Sequence, residues 1–150
     1  MVEWHDVGVG DPGPAEVAES RMAEDGIVLV GTLRANGWPR ISPVGPLIVD
    51  GRLYLGMMWQ SRKAHDLLAD PRCVVHTAVR GRDGSDGDVT VYGHAVEVAD
   101  AAQRERYGVA LDAATGWRPD GPFHLFALDV TEVGYFAVVD GVHDVRTWRP

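Results

Sequence analysis

The chain has 150 residues, 45% of them hydrophobic, which suits one globular domain with a substantial core and excludes a disordered protein. Its formal net charge of −8 excludes a general nucleic-acid binder and argues against attachment to anionic membranes, since both need a basic field. Any anionic ligand must therefore meet a local basic cluster.

The single cysteine, Cys73, can form no internal disulfide, which fits a reducing cytoplasm. The first twenty residues carry Glu3, Asp6, Asp11, Glu16 and Glu19 and no apolar run, so they do not read as a signal peptide. No apolar stretch approaches the roughly 20 residues of a membrane-spanning helix.

Residues 1–13 are polar and rich in glycine and proline and are expected to form an N-terminal arm, with residues 14–150 as one domain. Pro14 suits the first turn of a helix, Ala15 to Glu24 supply helix formers, and Gly26 ends it. Ile27 to Leu33 reads as a buried strand. Asn36-Gly37 is a hairpin signal, with both turn positions favouring positive φ. A second strand is predicted over Trp38 to Val49. Pro39, Pro43 and Pro46 lack the N–H that a ladder needs, so this strand must be bulged or lie at an edge. Asp50-Gly51 turns the chain into a third strand, Arg52 to Met58.

Ser61 then opens a short helix with Ala64, Leu67 and Leu68 on its apolar face, and Pro71 stops it. A fourth strand is predicted over Arg72 to Val79, a polar loop over Gly81 to Asp88, and a fifth strand over Val89 to Val98. The apolar alternation of the fifth strand changes phase near Gly93, which predicts a bulge. Asp100 and Gln103 form a capping-box-like pair for a helix whose buried face carries Tyr107, Ala110, Leu111 and Ala114. Phe123 to Val139 reads as a long or bent strand, Asp140-Gly141 as a turn, and Val142 to Trp148 as a last strand. Six or seven strands joined by tight hairpins, with three short helices, predict a mostly β fold, an antiparallel barrel.

One run carries chemistry: Ser61-Arg62-Lys63-Ala64-His65-Asp66-Leu67. With Ser61 as N-cap, Arg62 and Lys63 fall in the first helical turn. Cations there are disfavoured by about 0.3–1 kcal/mol each, because the helix dipole is already positive. A bound anion explains them: backbone N–H groups, a hydroxyl, a guanidinium and an ammonium would converge on a phosphate. The alternative is that both side chains point into water.

That run follows Tyr54-Leu55-Gly56-Met57-Met58, and one hairpin earlier stands Pro39-Arg40-Ile41-Ser42-Pro43-Val44. This order of strand, hairpin, strand, loop and Ser-Arg-Lys helix resembles the pyridoxamine-phosphate-oxidase-like, FMN-binding split barrels. The resemblance runs from Gly26 to Val98, and the tail Thr147-Trp148-Arg149-Pro150 resembles the family's C-terminal strand. It implies a homodimer of six-stranded antiparallel split barrels, with flavin in a groove between subunits. It also implies an oxidoreductase that transfers hydride between the flavin ring and a small molecule. Arg40, Ile41, Ser42, Pro43 and Val44 inherit the strand along the flavin ring and ribityl chain. Gly56 and Met57 fall near the cofactor, and Ser61, Arg62 and Lys63 take the phosphate. FMN is the default cofactor, a deazaflavin coenzyme the alternative. A non-catalytic protein that holds flavin, haem or another tetrapyrrole is the reading from another class.

The sequence departs from the oxidase proper. Gly45 stands where that strand ends in lysine, Asp88 where a glutamine opens the fifth strand, and Gly56-Met57 where a Tyr-Thr pair lies. The arginine- and histidine-bearing motif that holds pyridoxal phosphate is not evident, although His143 and Arg146 lie in that region. Pyridoxamine phosphate oxidase activity itself is not expected. No residue stands out as a general acid or base. The six histidines have no spacing that demands a metal, and Cys73, in an apolar strand, reads as a buried structural thiol.

Overall fold

The computed structural model describes residues 1–150. A 3-10 turn over Trp4–Asp6 precedes helix α1 (Gly13–Asp25). Strands β1 (Val28–Leu33), β2 (Pro39–Val44), β3 (Pro46–Val49) and β4 (Arg52–Met58) follow, then helix α2 (Arg62–Ala69). The chain continues through β5 (Arg72–Thr77), β6 (Asp88–Glu97), helix α3 (Ala101–Thr115), β7 (Phe123–Val139) and β8 (Val142–Trp148).

All pairings are antiparallel, in the order β2-β1-β5-β6-β7-β4-β3, with β8 pairing β7 off this path. The predicted strand Trp38 to Val49 is broken at Gly45. Its first half, β2, pairs β1 at one edge, and its second half, β3, pairs β4 at the other. One bent segment thus joins both ends of the sheet and closes it into a barrel. Counting that segment once leaves the six strands of a split barrel, and β8 is a hairpin extension. The prolines sit where an edge strand tolerates them. The fourth strand ends at Thr77 and not at Val79.

Turn chemistry sets the hairpins. Asp50-Gly51 and Asp140-Gly141 have positive φ at both positions, as a two-residue turn of this hand requires. At Asn36-Gly37 only Gly37 does, because that loop is longer: Arg34 N–H donates to the Trp38 carbonyl and Gly37 N–H to the Arg34 carbonyl. The ladder between β6 and β7 shifts register at Tyr92/Gly93, and the extra residue, Thr131, lies on β7. A Cβ at Gly93 would collide with the Asp129 carbonyl.

The barrel is filled by Val28, Val30, Leu53, Leu55, Val75, Val91, Phe126 and Val130, all buried. α1 closes one end through Ala15, Ala18 and Met22, and α2 the other through Ala64 and Leu67. On α1, Arg21 donates to the Ala78 and Gly87 carbonyls, which flank the polar loop. β7 is apolar without alternation because Leu125 and Ala127, on its outer face, pack with Tyr54, Val98 and Tyr107 under α3.

Asp100 caps α3 by accepting from Gln103 N–H at 2.8 Å, but the expected reciprocal bond is absent. The Gln103 side chain donates to the Tyr54 hydroxyl instead. The buried face of α3 is also narrower than expected: Tyr107 and Gly108 are buried, Ala110 and Leu111 partly so, and Ala114 is exposed.

Within residues 1–13 the chain lies on the barrel. Trp4 is 2% exposed and donates from Nε1 to Glu19 at 2.7 Å. Trp4→Ala is expected to lower the unfolding free energy by about 3–5 kcal/mol. Trp38, 69% exposed, should give less than about 0.5 kcal/mol on the same change. Urea unfolding of the two variants checks the contrast.

Candidate functional site

The turn between β4 and α2 holds Gln60 at φ 59 and Ser61 in an extended conformation. Ser61 N–H donates to the Met58 carbonyl at 3.1 Å, and the Ser61 carbonyl accepts the His65 N–H. The expected hydroxyl cap is not made: Ser61 lies at the N-cap position, but its side chain accepts no helix N–H. Ser61 Oγ is buried and has no hydrogen-bond partner. A buried hydroxyl left unpaired costs about 1–3 kcal/mol.

Arg62 is exposed and Lys63 half-buried in the first turn of α2, which contains no acidic residue. Among the 14 lysine and arginine side chains, nine are ion-paired: Arg21, Arg40, Arg52, Arg72, Arg80, Arg106, Arg118, Arg146 and Arg149. Arg104 donates to the Val98 and Phe123 carbonyls. Arg34, Arg62, Lys63 and Arg82 keep their charges free of any partner. Two of these four are adjacent at a helix start.

β2 approaches α2 through an ion pair. Arg40 Nε donates to Asp66 Oδ2 at 2.7 Å, and Thr32 Oγ1 donates to the same oxygen at 2.7 Å. Thr32 and Arg40 are Cα partners in the β1–β2 ladder, so Asp66 ties both strands to the helix. Burial pushes the Asp66 carboxyl up, yet the Arg40 and Thr32 hydrogen bonds, with the charges of Arg40 and Arg34, hold it below its ordinary value. Arg40, Ser42 and Val44 face the same side as Thr32, Val30 and Val28, while Ile41 and Pro43 point outward and are exposed.

Gly56 and Met57 lie elsewhere, in a cleft of about 470 Å³ under α3 that also reaches Gly45, where β2 gives way to β3. A Cβ at Gly56 would collide with the Tyr107 hydroxyl, so this glycine is required by packing. The Met58–Ser61 turn joins the two regions. Trp59 stacks on His124 at 4.5 Å, and His124 Nε2 accepts the Gln60 N–H at 3.1 Å. His124 is buried at this junction.

The structure thus gathers Ser61, Arg62 and Lys63 at one helix start, with Arg40 tied to the same helix, and sets Gly56 and Met57 in a cleft beside it. Nothing in the sequence pointed to a role for Arg34 or His124. Asp66 stood inside the Ser-Arg-Lys run, and Tyr107 was placed only on the buried face of its helix. Burial raises the pKa of Cys73 to about 12, so this thiol is no nucleophile near neutral pH.

A family profile described as pyridoxamine 5'-phosphate oxidase matches residues 15–137. Among solved structures, general stress protein 26 of Bacillus anthracis is 21% identical with a TM-score of 0.65, covering 90% of this chain and 97% of that one. A NimC/NimA family protein of Clostridium acetobutylicum is 14% identical with a TM-score of 0.65, covering 91% and 94%. A haem-binding protein of Mycobacterium smegmatis is 21% identical with a TM-score of 0.64, and the match covers 87% of this chain but 57% of that one. These likenesses show the fold. No curated protein sequence matches.

Asp66→Asn removes the charge that Arg40 faces and is expected to cost about 3 kcal/mol near neutral pH. The folded-state pKa of Asp66 is lowered, so its stabilisation is complete above the unfolded value and is lost as pH falls through the folded value. The stability gap between wild type and Asp66→Asn should therefore narrow as pH falls below the ordinary carboxylate value of 3.8. Urea unfolding across that range measures it.

Proposed function

The chain belongs to the pyridoxamine 5'-phosphate oxidase family, and from that premise we propose that it is a cytoplasmic FMN-binding oxidoreductase transferring hydride between the flavin and a small molecule. The observation that carries this reading is the buried, unpartnered Ser61 hydroxyl beside two free cations at the start of α2. In a chain of net charge −8, where most arginines are neutralised by neighbours, such a cluster suits a phosphate dianion. Ser61 Oγ would gain a hydrogen bond that the chain does not give it.

In this reading Ser61, Arg62 and Lys63 hold the phosphate. Arg40, Ile41, Ser42, Pro43 and Val44 flank the rest of the cofactor, and Gly56 and Met57 border its far side. β2 is paired on one side only, which leaves alternate backbone groups of its free edge available to hydrogen-bond a flavin ring. When bound, FMN supplies the hydride acceptance and donation. The chain's own residues bind, orient and exclude water. Asp66 acts one step back, fixing Arg40 and the slope of α2 against β1.

Members of the family generally form dimers, and we place the partner against the outward face of β1 and β2. Leu29 and Ile41 are exposed there together with Pro39 and Pro43. A deazaflavin coenzyme, which also carries phosphate, would use the same grip. A haem carrier is the rival reading, raised by the Mycobacterium smegmatis neighbour. Haem would present propionate carboxylates to the same cluster in place of a phosphate, and titrations with FMN and with haem, followed by visible absorption, separate the two readings.

Arg62→Ala and Lys63→Ala should each weaken FMN binding about tenfold while leaving riboflavin binding nearly unchanged, since 1.4 kcal/mol is a factor of ten. Titrations followed by visible absorption measure both. Equal losses for the two ligands would remove the phosphate role. A protein that takes up neither FMN nor deazaflavin would overturn the flavin reading.

A further inference from the structure

Tyr107, on the buried face of α3, is 3% exposed. Burial alone acts on its phenol, pushing the pKa up, and no hydrogen bond offsets it. Tyr54, whose ring lies 5.6 Å away, differs: its hydroxyl accepts from Gln103 at 2.7 Å. The Tyr107 hydroxyl lies over Gly56, the one β4 position with no side chain to obstruct it, at the base of the apolar cleft. The walls are aromatic: Trp59, Trp117 and Phe123, with Met58 beside them. No charged residue lines the cleft. Met58 is 78% exposed, Trp59 53% and Trp117 62%, a large apolar surface for one opening. The volume of about 470 Å³ lies in the range of small-molecule sites.

We propose that this cleft binds a neutral, flat, largely apolar molecule, oriented by one hydrogen bond from the Tyr107 hydroxyl to a carbonyl-type acceptor. Flat aromatic walls favour a planar ligand. The absence of charged groups disfavours an ion, whose desolvation would go uncompensated. The phenol stays protonated near neutral pH and so acts as a donor. The site is separate from the phosphate grip, although it includes Gly56 and Met57 and therefore abuts the proposed cofactor position. Treating its occupant as the substrate rests on the flavin reading; the binding itself does not.

The test uses two probes of nearly the same outline, 2-acetylnaphthalene and 2-ethylnaphthalene, of which only the ketone has an acceptor. Binding is read by tryptophan fluorescence and calorimetry. Tyr107→Phe should weaken the ketone about five- to tenfold and leave the hydrocarbon unchanged. It removes no internal hydrogen bond, so its melting temperature should match wild type. Leu111→Trp, which fills the cleft from α3, should abolish binding of both probes. Arg62→Ala should affect neither, which keeps a failure of the phosphate reading distinct from a failure here. The proposal is overturned if neither probe binds wild type, if Tyr107→Phe changes both equally or not at all, or if Leu111→Trp leaves them bound.

Discussion

Asp66 is the contact on which the site depends. One carboxylate oxygen receives both the Arg40 guanidinium and the Thr32 hydroxyl. β1, β2 and α2 are thereby locked at the end of the barrel where the chain turns from β4 into the helix. Apolar packing of Ala64 and Leu67 holds α2 down, but packing alone leaves a short helix free to rotate. The ion pair fixes which side of α2 meets the barrel, and hence where Ser61, Arg62 and Lys63 point. Breaking a buried pair leaves a charge uncompensated, so this lock is stiff.

The electrostatic pattern follows from the same economy. An acidic chain has carboxylates in excess, and most arginines find one. Three of the four exceptions gather: Arg62 and Lys63 are adjacent, and Arg34 is close enough to bias the Asp66 carboxyl, while Arg82 lies in the loop between β5 and β6. Two unpaired cations at a helix start without acidic residues, and a buried hydroxyl without a partner, are each unfavourable by themselves. Both become favourable when one dianion is present. The neutral cleft under α3 has the opposite character, so the molecule sorts charged and uncharged chemistry into neighbouring places.

Local chemistry was legible and closure was not. Asp50-Gly51 and Asp140-Gly141 announce their turns because both residues tolerate positive φ. The prolines of the Trp38 to Val49 segment announced an edge. That the segment breaks at Gly45 and serves both edges depends on the ladder β1-β5-β6-β7-β4, most of whose pairings join residues distant in sequence. The Ser-Arg-Lys run and its family resemblance were readable because the motif is continuous. Asp66 was not, since its role needs the register that sets Thr32 opposite Arg40. Ser61 was read as a cap from its place before the helix and stands at the N-cap position, but its hydroxyl makes no bond to the helix N–H groups. Tyr107 was placed on a buried face, but only the structure shows that its hydroxyl occupies the space a side chain at Gly56 would fill.

Phosphorus NMR of FMN reports directly on a phosphate held by Ser61, Arg62 and Lys63. Adding wild-type protein should shift and broaden the FMN phosphorus resonance. The doubly substituted Arg62→Ala, Lys63→Ala protein at the same concentration should leave it at the free position. A resonance that stays at the free position with wild type, while visible absorption reports a bound flavin ring, would show that these residues do not hold the phosphate.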